Sequence, residues 1–284
     1  MKFLMLGTGH RAFAVAVSAV FLGVVFVATA LAHDTWLLPS SLRVPVGRAI
    51  TLDLTSGMAF PADDFAIVPS RVVRADVRLG GTSRALAAPR RAPLALRYRW
   101  KPARAGIATI AVELAPKTLV LTPSQVAEYL DEIGAPPALR AAWDSVAAPK
   151  QWHEAYTKHA LTFVRVGTPI RDSSWATPMR LGLELVPERD PTSLRAGDTL
   201  TFRVLRGDHP LADFAVGARP AGASAATLVR TDGAGRARVA LPASGLWLLA
   251  ATDLRRSTRR GLEWESDFTT LTLAVDSART PRRE

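Results

Sequence analysis

The chain has 284 residues, a formal net charge of +11 and no cysteine, which excludes disulfides, thiolate metal centres and cysteine nucleophiles. Its basic residues are nearly all arginine and are scattered along the chain, the nearest things to a patch being Arg255-Arg256 with Arg259-Arg260 and the tail Arg282-Arg283. They form no stripe of the kind that grips a phosphate backbone, so no nucleic-acid partner is expected.

Residues 1–32 read as an export leader. Lys2 and Arg11 precede an uncharged run from Ala12 to Ala32, and Ala30-Leu31-Ala32 fits the A-x-A cleavage pattern. The run approaches the length that spans a bilayer, so a retained anchor is the alternative. With a cut after Ala32, the mature protein is periplasmic or secreted, has no integral membrane segment and begins at His33.

From residue 33 to 170 the pattern predicts a first β-sandwich. Ile50-Thr-Leu-Asp-Leu-Thr55 alternates apolar and polar residues with period two, and β-rich runs follow over 72–79, 94–100 and 106–114. The period changes at Thr122-Pro-Ser-Gln125, which has an N-cap, a proline at the first helical position and a glutamine placed for a capping box. Val126, Tyr129, Leu130 and Ile133 form one apolar stripe, and Gly134 stands where the helix should stop. Further helices are expected over 137–146 and 150–158, giving a short helical insertion at about 122–160. Arg171 to Pro178 reads as a linker. Seven short strands then predict a second immunoglobulin-like or transthyretin-like sandwich over 179–276, with a tail at 277–284. The fold class is therefore mainly β.

Leu181-Gly-Leu-Glu-Leu-Val-Pro187, Leu194-Arg-Ala-Gly-Asp198, Gly207-Asp-His-Pro210, Thr231-Asp-Gly-Ala-Gly-Arg236, Gly245-Leu-Trp247 and Trp264-Glu-Ser266 stand in an order and spacing that resemble the DUF4198 family. The start His33-Asp-Thr-Trp36, Glu128-Tyr-Leu-Asp-Glu132 and Tyr156-Thr-Lys-His159 agree as well. The resemblance implies an exported β-rich protein of the kind described as a periplasmic component of nickel or cobalt uptake, with a membrane uptake transporter as partner. Two positions depart from it: many relatives carry a histidine at or beside Asp253, and the family's lysine after Lys-His is here Leu161.

The candidate chemistry centres on His33. As a mature N-terminus it offers an α-amine and Nδ1, a chelating pair suited to nickel, cobalt or copper. Asp34 would add a carboxylate or orient the ring, and His159 is the candidate second ligand. His153 and His209 are expected at the surface. Glu263 and Glu265 are expected to face the same way as partners of nearby arginines. Nucleophile-elbow, zincin, phosphate-loop and dinucleotide motifs are missing. The expected function is thus binding and delivery of a divalent metal without turnover. The alternatives are a copper-dependent oxidase built on the histidine chelate, and a metal-free interaction module.

Overall fold

The computed structural model describes residues 33–168 and 172–278; the expected leader lies outside them. The strands named below are β1 (Asp34–Pro39), β2 (Ile50–Gly57), β3 (Val72–Leu79), β4 (Leu96–Trp100) and β5 (Gly106–Leu114), followed by helices α1 (Pro123–Glu132) and α2 (Pro137–Asp144). Then come β6 (His153–Val166), β7 (Leu183–Pro187), β8 (Asp198–Arg206), β9 (Ala215–Pro220), β10 (Arg236–Leu241), β11 (Gly245–Arg256) and β12 (Trp264–Val275). The protein is mainly β, as its alternating patterns predict.

Three sheets form two sandwiches. The first small sheet has the order β1-β2-β4 and the second has β7-β8 with β10 beside β8, each completed by shorter strands. Between them runs a ten-stranded sheet whose central order is β9-β11-β12-β6-β5-β3. Strand β6, from the first half of the chain, pairs in parallel with β12, from the second, over Glu154↔Trp264 to Thr162↔Thr272. The two halves therefore share one sheet.

Strand β6 shows how. Ala160 and Val164 pack with Leu37, Leu52, Leu54 and Tyr98 of the first small sheet and its neighbours. Leu161 and Phe163 pack with Leu183, Leu185, Phe202 and Val204 of the second. Successive side chains on a strand point to opposite faces, so both faces of β6 are core. The same double burial explains the one secondary-structure correction. Residues 150–158 are not a helix; from His153 they are strand. A strand buried on both faces shows no alternation, and Trp152 and Tyr156, four apart, mimic a helical stripe.

Helix α1 forms as its sequence predicts. Thr122 caps it, Gln125 completes the capping box, and Val126, Tyr129 and Leu130 are buried. Gly134 takes φ +59°, the left-handed turn that ends a helix cheaply only at glycine. The helix lies on an aromatic floor in which Trp152 stacks on Trp264, with centroids 4.4 Å apart, and Trp143 of α2 meets Trp152 edge-on at 5.4 Å.

Candidate functional site

Strand β1 and the residue just before it carry the first two candidates. His33 sets its ring edge-on against Phe65 at 4.7 Å, and its carbonyl accepts a hydrogen bond from Lys158 Nζ. Asp34 Oδ2 accepts from Arg219 Nη2 at 2.6 Å. Arg219 comes from β9 and Lys158 from β6, so four elements of the fold meet here once Glu132, the last residue of α1, is added.

Asp34, Arg219 and Glu132 edge a cleft of about 340 Å³. It lies on the α1 side of the ten-stranded sheet, between the end of α1, β1 and the strands β9 and β11. Asp34, Glu132 and Arg219 line it together with Phe268 and small aliphatic walls that include Ala226 and Leu248. Burial raises the Asp34 carboxyl above its ordinary value, although Arg219, Lys158 and His33 pull the other way. Glu132 is exposed, yet the desolvation it does undergo raises it, and the charge of Asp34 raises it further. Burial lowers the Lys158 ammonium to about 8, against the pull of Asp34. Desolvation thus works on all three groups in the direction that disfavours charge. Arg219 Nε is buried without a partner.

His159 is elsewhere. It follows Lys158 on β6, so its side chain leaves the strand on the opposite face. There its Nε2 meets Asp267 Oδ1 at 3.0 Å and its Nδ1 is buried without a partner. Asp267 also accepts from Arg255 Nη1 at 2.8 Å, and Asp253 is gripped by Arg206 and Arg255. The backbone at Gly182 passes directly over the pair: a Cβ there would come within 2.7 Å of Asp267 Oδ1 and 3.1 Å of His159 Nε2. Asp253, one of the two departures from the family pattern, therefore belongs to a closed ion network, and the other, Leu161, is apolar core.

A first-row metal needs nitrogen and oxygen ligands converging on one point. His33 and Asp34 stand on one face of the sheet and His159 on the other, so these three do not converge. Among the described residues no group of three or more His, Asp or Glu side chains is placed to hold a metal. The sequence-based trio His33, Asp34 and His159 is therefore not brought together at one point.

The remaining candidates fall into place as surface partners. His153 Nδ1 meets Glu263 Oε2 at 2.9 Å, Glu265 faces Arg255 and Arg259 at 3.8 and 3.9 Å, and His209 is exposed. Sequence reasoning missed Lys158, Arg219 and Glu132. Nothing local marks them, because they come from three elements far apart in the chain. The residue that did signal was Asp34.

A domain of unknown function, DUF4198, matches residues 30–253. The chain belongs to the DUF4198 family. No curated protein matches it. Among solved structures, this family member is similar to the D0-D1 domain of intimin, with 11% identity, a TM-score of 0.21 and coverage of 86% of this chain and 100% of that one. It is also similar to the Yersinia pseudotuberculosis adhesin InvE, with 11% identity, a TM-score of 0.23 and coverage of 84% and 58%. The ectodomain of mouse nectin-like molecule 4 gives 10% identity, a TM-score of 0.21 and coverage of 88% and 66%. No helix among the described residues is long and apolar enough to cross a membrane.

Proposed function

We propose that this DUF4198 protein is an exported binding protein that captures a small charged ligand in the cleft between α1 and strands β9 and β11, without turnover. One observation carries the reading. Asp34, Glu132 and Arg219 line about 340 Å³ of space whose wall mixes small aliphatic residues with the polar Asp131, Ser224 and Thr252. Burial disfavours the charge on Asp34, which is costly for a fold to keep, and a few convergent polar groups around a hollow are what a ligand site needs. The leader pattern at residues 1–32 supports a periplasmic or secreted location, and the family resemblance suggests a membrane uptake system as recipient.

A second reading keeps divalent nickel, cobalt or copper as the cargo. It is favoured by two carboxylates, Asp34 and Glu132, near enough for the charge of Asp34 to raise Glu132, beside His33. The ligands would be the His33 amine and imidazole with these carboxylates, and His159 would have no part. Lys158, bonded to the His33 carbonyl, and Arg219, bonded to Asp34, oppose a dication there by like charge.

Two variants separate the readings. Ala226→Trp fills the cleft from its exposed wall, while His33→Ala removes the chelate. Calorimetry on protein processed at Ala32 should show that organic ligands found by ligand-observed NMR are lost in Ala226→Trp and kept in His33→Ala. Nickel, cobalt or copper binding that is lost in His33→Ala and kept in Ala226→Trp would replace the first reading with the second.

A further inference from the structure

Resting on the cleft reading, we infer that the ligand is a small aliphatic zwitterion of amino-acid to dipeptide size, its ammonium on Glu132 and its carboxylate on Arg219.

Two unmatched groups at the cleft have opposite needs. Arg219 spends one Nη2 donor on Asp34, and its Nε is buried without a partner. A guanidinium has five donors in a planar fork that suits a carboxylate. Nε is closed off from the cleft, but Arg219 lines it and its Nη1 makes no hydrogen bond or ion pair among the described residues, so an anionic group entering the cleft meets a free donor.

Glu132 has the converse need. It ends α1, where the helix dipole is negative and a cation is preferred, and no basic residue lies in that last turn. The rest of this helix end is satisfied. Arg140 donates to Asp131 Oδ1 at 2.7 Å and to the carbonyls of Leu130 and Ala135. The Glu132 carboxylate makes no hydrogen bond or ion pair among the described residues, and Asp34 adds like charge beside it. An ammonium placed there would relieve both the dipole and the repulsion.

The walls and the size complete the class. Ala226, Leu228 and Leu248 give the wall an aliphatic part, beside the polar Asp131, Ser224 and Thr252. About 340 Å³ is near the lower end of small-molecule sites and suits a single amino acid or a dipeptide. A lone metal ion or simple anion would leave most of it filled with water, and neither would answer both unmatched groups.

The test uses the full mature chain and four probes: L-leucine, leucyl-alanine, leucinamide, which lacks the carboxylate, and 4-methylpentanoate, which lacks the ammonium. Calorimetry should show binding of leucine or leucyl-alanine, weakened about 10- to 100-fold in Glu132→Gln, with similar losses for the two truncated probes. Glu132 is exposed, so Glu132→Gln should fold, and an unchanged melting temperature checks this. Equal affinity for leucine and either truncated probe, or unchanged affinity in Glu132→Gln, overturns the zwitterion. Citrate or nickel chloride binding in an Ala226→Trp-sensitive way while the zwitterions fail would remove the zwitterion and leave the cleft. No response from any probe, with none in Ala226→Trp, removes both.

Discussion

Lys158 and Asp267 are buried charges on opposite sides of the central sheet, and pH distinguishes them. The Lys158 ammonium is lowered to about 8 from an ordinary 10.5. Between those values the unfolded chain holds a proton that the native protein has released, so this residue makes stability rise with pH through the window. Lys158→Met removes that contribution. Urea midpoints from pH 7.5 to 10 should rise in the native sequence relative to the variant, by on the order of 2 kcal/mol at the upper end. Parallel curves would show that Lys158 is not held this way. Asp267 behaves oppositely. Burial pushes its carboxyl up, but His159 and Arg255 together outweigh burial and leave it below the ordinary value. Its stabilisation is present above the unfolded carboxylate range and is lost as pH falls below about 4. Asp267→Asn should cost about 2–3 kcal/mol at pH 7 and should flatten the loss between pH 5 and 3, which denaturant titration at each pH would measure.

At the scale of elements, α1 and β6 mark what was legible in the sequence. The capping box at Thr122 and the stop at Gly134 are short-range chemistry, so they can be read from neighbours. Strand β6 is specified from outside itself, by β12 on one edge and by small sheets over both faces, and no local pattern records that. The misreading had a consequence for the site. Taken as a surface helix, 150–158 hides the buried lysine and leaves His159 free to be imagined near His33. Its Glu154 is fully buried and accepts hydrogen bonds from Tyr129, Trp152 and Ser266, which fastens α1 to the sheet. Burial raises its carboxyl, against those three bonds. Tyr129→Phe takes one donor from this acid and should cost about 1–3 kcal/mol. Because Tyr129 also lines the cleft, hydrogen exchange should show α1 opening more readily than the rest of the molecule. Uniform loosening would mean that the helix is held by its tryptophan floor alone.

At the scale of the whole molecule, the two sandwiches follow from counting strands and turns, whereas the sheet they share does not. Parallel pairing across more than a hundred residues leaves no trace in composition or spacing. It does make a prediction about cooperativity. Leu271 of β12 is fully buried in the second core and lies opposite Leu161 of β6. Leu271→Ala should cost about 2–5 kcal/mol, and hydrogen exchange should rise together in β5 of the first half and β10 of the second. Loosening confined to the second half would mean that the shared sheet does not couple them. The position of β12 also bears on how the protein comes to exist. It is the last long strand to be synthesised, yet it lies in the middle of the widest sheet, between β11 and β6. Contacts this distant in sequence form slowly. A chain emerging from a ribosome or a membrane channel therefore carries an open edge on β6 until about residue 275 is free. During that interval it presents a sticky, unpaired strand that a holding chaperone would have to shield.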